Sequence, residues 1–143
     1  MPEADVVQIL REHLEGLFPK VCPNCGRRFD SLRDYLLGTT QLGSVVSYDA
    51  EMGQWQPVHP LGILAFSSCA CGTTLALSSQ GMALGALWSL LAWARTETRR
   101  RGVTPQALLN DLRDEICLQV LASPVVVDRP LGHRTCPAGP WAA

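Results

Sequence analysis

The sequence predicts an α+β fold: a three-stranded antiparallel sheet flanked by helices, with a helical hairpin toward the C-terminus. Three observations carry this expectation. Apolar residues recur at three- and four-residue spacing near both ends of the 143-residue chain. The middle is β-branched and alternating, with Gly and Pro at its breaks. Two close cysteine pairs, each followed by glycine, lie before and within that middle. The length suits one domain, 1–143, with a core of its own. A hydrophobic share of 47% argues against disorder, and a net charge of −1 argues against a histone-like or RNA-coating role. Lys20 is the single lysine beside eleven arginines, which with abundant Ala, Leu and Gly fits a GC-rich bacterial coding bias.

Taken in order, Val6, Ile9, Leu10, His13, Leu14 and Leu17 form one face of an amphipathic helix over 3–18, stopped by Gly16 and Pro19. Ser31 with Asp34 resembles a capping box, so a short helix is expected over 32–37, ended by Gly38. Ser44 to Tyr48 reads as a strand and Asp49 to Gln54 as a turn. Pro57 and Pro60 make 55–60 an edge or loop. Leu61 to Ser68 and Thr73 to Leu77 read as the arms of a hairpin. A helix capped by Ser78 or Ser79 is expected from about Gln80 to Arg99. After the break at Gly102, Thr104 is a good N-cap and Pro105 a good first residue for a helix running to Ala122. The segment 123–143 holds four prolines and reads as an extended tail, with one short strand at 125–127. The chain thus divides into an N-terminal helix (1–20), a cysteine-bearing core (21–79), a helical hairpin (80–122) and a tail (123–143).

The chain begins Met1-Pro2-Glu3-Ala4-Asp5, without the basic and apolar regions of a signal peptide. The expectation is a reducing cytoplasm, where clustered cysteines bind metal. Residues 75–94 carry no charge, but the apolar part of that stretch, Met82 to Ala94, is too short to span a bilayer and reads as a core helix.

Cys22-Pro23-Asn24-Cys25-Gly26 and Cys69-Ala70-Cys71-Gly72 are the informative motifs. A tight turn lets two sulfurs converge on one ion while its N–H groups point at them. Glycine after the second cysteine permits a positive φ. Four thiolates make a closed tetrahedral Zn²⁺ site. Iron in a rubredoxin-like Cys₄ site, redox-active thiols and inert packing cysteines are the alternatives.

On these residues, with strands around the second pair, the stretch 21–78 resembles the zinc-ribbon superfamily. The resemblance implies structural zinc held by Cys22, Cys25, Cys69 and Cys71 on a small antiparallel sheet. It fixes no activity, because zinc ribbons serve in nucleic-acid binding, in enzyme subdomains and in protein docking. The sequence departs from the usual pattern in its single residue between Cys69 and Cys71 and in the 43 residues between Cys25 and Cys69.

Weaker signals read as packing. Cys117 beside Ile116 reads as a small buried hydrophobe, and His133 with Cys136 has ligand-like spacing without an evident partner set. His13 reads as a hydrogen-bonded core residue. His59 has no nearby nucleophile or carboxylate. No catalytic pattern and no small-molecule substrate is legible. Arg95, Arg99, Arg100 and Arg101 oppose the negative end of a helix dipole. With Arg27 and Arg28 they also offer a weak nucleic-acid contact. Gly81, Gly85 and Ser89 recur every four residues and admit a second helix, from this chain, a second copy or a protein partner. The leading expectation is therefore a structural-zinc interaction or regulatory module, a homodimer or partner binder. The alternatives are a redox- or metal-responsive thiol sensor and a nucleic-acid-binding transcription accessory.

Overall fold

A computed structural model describes residues 1–122. The expected tail, the strand expected at 125–127, and His133 and Cys136 lie outside the described residues. The observed order is α1 (Glu3–Glu15), β1 (Lys20–Val21), β2 (Arg28–Phe29), α2 (Leu32–Gly38), β3 (Thr39–Ser47), α3 (Tyr48–Glu51), β4 (Ile63–Cys69), β5 (Thr74–Ser78), α4 (Leu84–Arg101) and α5 (Pro105–Ala122). The α+β class is as expected. The antiparallel sheet runs β3-β4-β5, and β1 and β2 form a separate two-stranded hairpin.

Local signals set several boundaries. Ser31 Oγ accepts from the Asp34 N–H at 3.1 Å and starts α2, and Thr104 Oγ1 accepts from the Ala107 N–H at 3.1 Å and starts α5. Gly38 belongs to α2, and a Cβ there would lie 2.7 Å from the tip of the Arg27 side chain and 3.1 Å from the Phe29 ring, so a larger residue would displace the guanidinium.

Other expectations are corrected. The first helix stops at Glu15, three residues short of 18. The first sheet strand begins at Thr39 rather than Ser44, with a register irregularity between Leu42 and Val46. The turn expected over 49–54 opens with the short helix α3. The helix expected from Gln80 starts at Leu84, because the serines meant to cap it are used elsewhere. Ser79 Oγ accepts from the Ile63 N–H at 2.9 Å and Ser78 Oγ from the Gln80 N–H, while Gly81 takes φ +89°, outside any helix. Gly81 therefore does not extend the small-residue stripe. Cys117 is buried as expected, but it is disulfide-bonded rather than a free thiol.

The core collects Val6 and Val7 of α1, Leu32, Tyr35 and Leu36 of α2, Leu75 and Leu77 of β5, one side of α4, and Leu108, Leu109, Leu112 and Ile116 of α5. Two polar contacts fix α5. Asn110 Oδ1 accepts from the Val45 N–H at 2.9 Å, beside the irregularity in β3. Arg33 of α2 donates to the carbonyls of Val120 and Leu121, where a cation suits the negative end of α5. Arg101 of α4 pairs with Glu3 of α1 at 3.1 Å and with Glu97 at 2.8 Å. No helix among the described residues is long and apolar enough to cross a membrane.

The long connection from α3 to β4 is held by one carboxylate. Asp49 is 1% exposed, and its two oxygens accept from the N–H groups of Leu61 (3.0 Å) and Gly62 (2.9 Å). Midway along the loop, Trp88 Nε1 of α4 donates to the Pro57 carbonyl at 2.9 Å. Asp49→Ala leaves two donors without their acceptor and should lower stability by about 3 kcal/mol. Urea unfolding checks this: the midpoint should fall with an unchanged slope, and Asp49→Asn should lose less.

Candidate metal centre

The first knuckle sits between β1 and β2. The Cys22 N–H donates to Arg27 O at 2.9 Å, and the Gly26 N–H to Cys22 O at 3.0 Å. The second knuckle is the tip of the β4–β5 hairpin, as expected. There the Cys69 N–H donates to Thr73 O at 2.8 Å, and the Gly72 N–H to Cys69 O at 2.8 Å. The second turn is thus the first with one residue removed, closed by the same two kinds of bond. Gly26 and Gly72 hold φ +75° and +93°, with open space where a Cβ would stand. Their requirement is conformational rather than steric.

Both knuckles direct their sulfurs to one point. The sulfurs of Cys22, Cys25, Cys69 and Cys71 all lie within 4.8 Å of one another, an arrangement that can hold a metal ion. Two separations run between the knuckles: Cys22 to Cys71 is 3.7 Å and Cys25 to Cys69 is 3.6 Å. A tetrahedral ion at a metal–sulfur distance of ~2.3 Å needs edges of about 3.8 Å, which these two separations match. Each knuckle contributes one buried cysteine (Cys22, Cys69) and one exposed cysteine (Cys25, Cys71).

Hydrogen bonds prepare the thiolates unequally. The Thr73 hydroxyl, 3.2 Å from Cys71 Sγ, is the main cause that takes the Cys71 thiol down to about 5, with the Asn24 amide next. The Cys25 and Asn24 N–H groups lower Cys22 against its burial. The Arg27 N–H pulls Cys25 down, but desolvation and the three neighbouring sulfurs outweigh it and carry this thiol up to about 11. The cluster thus favours a mixed set of thiol and thiolate, which a divalent cation would convert to thiolate throughout.

The first knuckle is also fixed from outside. Phe29 meets Tyr35 edge-on at 5.4 Å, and Phe18 meets the same ring at 5.6 Å. The Arg27 guanidinium lies 5.2 Å from the Phe29 ring centre and donates to Gly38 O. Sequence reasoning missed this hairpin. Its two-residue strands carry no periodicity, and Phe29 was the one available signal.

The other sequence candidates lie apart from the four cysteines or are otherwise engaged. His13 Nε2 donates to Ser78 O at 2.9 Å, as a core histidine. His59 is exposed. Arg28 pairs with Asp30, and Arg100 and Arg101 pair with Glu97. Arg95 and Arg99 are exposed on α4.

In metal-free protein, the low Cys71 thiol should be alkylated by iodoacetamide at pH 6–7, well before Cys25. Its rate should fall as pH drops through about 5. Thr73→Val should move that midpoint upward. Gly26→Ala and Gly72→Ala should each destabilise by about 1–2 kcal/mol in thermal unfolding. Comparison with family models, curated proteins and solved structures finds no match to this chain.

Proposed function

We propose that this protein is a zinc-stabilised interaction module. In this reading Cys22, Cys25, Cys69 and Cys71 hold one structural Zn²⁺, and α4 carries the docking surface for a protein partner or a second copy. The single observation behind it is the sulfur geometry: two turns of different length bring four thiols within 4.8 Å of one another, close enough to share one ion. Neither knuckle is long enough to hold its shape alone, so a metal bond supplies what a small core does not.

The outer side of α4 supports the docking role. Gly85, Ser89 and Ala92 are exposed and form a low floor, with the Trp55 and Trp88 rings beside it and Arg95 and Arg99 at its far end. Small residues let another backbone approach closely, and aromatic and arginine side chains are what protein interfaces favour. A second reading, a thiol sensor, is favoured by the exposure of Cys25 and Cys71, which an oxidant reaches first. Nucleic-acid binding is the weaker reading, because Glu97, Glu3 and Asp30 already pair with three of the arginines it would use.

Elemental analysis of protein purified without added metal should give about one equivalent of zinc. Chelation should lower the melting temperature steeply, since such a site contributes on the order of 10 kcal/mol. Less than half an equivalent, with four reactive thiols, sinks the metal reading. Zinc retained after mild peroxide sinks the sensor reading. Light scattering should detect self-association that Ala92→Arg abolishes without changing the melting temperature. A strict monomer at micromolar concentration removes the second-copy version.

A further inference from the structure

Between α1, α2, the sheet and α5 the interior leaves a cavity of about 90 Å³. Its inner wall is apolar: Leu32, Leu36, Leu77, Leu109, Leu112 and Ile116. Its outer side is made by half-buried residues, among them Leu10, His13, Leu14, Ser78 and Met82, so it communicates with the surface between α1 and the end of β5. The volume exceeds the ~15 Å³ that one water needs, but an interior water also needs two to four polar partners.

The polar groups on the wall are already engaged. His13 Nε2 donates to Ser78 O, Ser79 Oγ accepts from the Ile63 N–H, and Ser78 Oγ accepts from the Gln80 N–H. Arg113 donates to Gly43 O, and its charge is matched by Asp114 at 3.4 Å. The cavity therefore offers water little and an ion nothing. A dry void forgoes dispersion contacts along its whole lining, and an apolar occupant restores them. An apolar cavity of ~150 Å³ admits benzene, so one of about 90 Å³ sets a smaller occupant, of roughly three to four carbons.

We propose that this cavity is a binding site for a small uncharged apolar molecule, a ring or short alkyl chain of roughly three to four carbons. A hydroxyl on that molecule is received by His13, whose Nδ1 is the acceptor once Nε2 donates to Ser78. The proposal is independent of the metal reading, because none of the four cysteines of that cluster lines the cavity.

The test is a methyl NMR titration of the full chain with cyclopropane and with 1-propanol. Shifts should saturate at millimolar probe and be confined to wall methyls such as those of Leu36, Val45, Ile63, Leu109 and Ile116. Ala65→Leu and, separately, Leu77→Phe should weaken both probes at least tenfold. His13→Leu should weaken 1-propanol several-fold and leave cyclopropane unchanged. Wall methyls that do not move overturn the proposal, including the case in which the chain itself already fills the space. So do shifts that spread to exposed Val58, Leu61 and Leu84. The wild-type titration decides the matter even where a filling variant fails to fold. Equal loss of both probes in His13→Leu overturns the hydroxyl assignment.

Discussion

The convergence of four sulfurs is the constraint on which the cysteine-bearing part of the chain depends. The β1–β2 hairpin has two residues in each strand, too few to persist in water by its own ladder. Its turn brings the sulfurs of Cys22 and Cys25 against those of Cys69 and Cys71, where a shared ion would fix it, and its base is held by Phe29 on Tyr35. Tyr35 belongs to α2, and α2 runs directly into β3, which pairs with the strand that ends at Cys69. The cluster and the sheet therefore close a loop of mutual support. Loss of the sulfur junction would free the hairpin and, through Tyr35, loosen the entry into the sheet.

The helical part is held differently, by apolar burial with charges at the ends. Glu97 sits one turn before Arg101 and receives both Arg100 and Arg101, while Arg101 also reaches Glu3 of the first helix. These pairs are partly exposed, so their orienting role outweighs their contribution to stability. They use two of the four arginines at this end of α4 and leave Arg95 and Arg99 outward. The low charged fraction of the chain is thus unevenly distributed in function as well as in sequence.

Signals that act over three or four residues were legible. Ser31 with Asp34 and Thr104 with Pro105 place helix starts, and each cysteine pair with its glycine announces a knuckle. Features that depend on a distant partner were not. Ser79 looked like a helix cap because nothing local shows that Ile63, sixteen residues earlier, would claim its hydroxyl. Asp49 read as an ordinary turn residue, although its carboxylate organises the loop that returns at Leu61 and Gly62. The candidate site was legible as a set of residues, but the crossed pairing of its sulfurs and the support from Phe29 and Tyr35 required the fold.

The division of each knuckle into one buried and one exposed cysteine has a kinetic meaning. An ion held among the four sulfurs would be shielded behind Cys22 and Cys69 and meet solvent along the edge between Cys25 and Cys71. An incoming thiol or chelator would therefore attack through that edge, displacing Cys25 or Cys71 before the buried pair. The rate of exchange would be set by how readily those two turns give way, while the equilibrium affinity would be set by all four ligands together. Tight retention and quick hand-over would then be separable properties of one small site, the first set by all four ligands and the second by the two exposed ones.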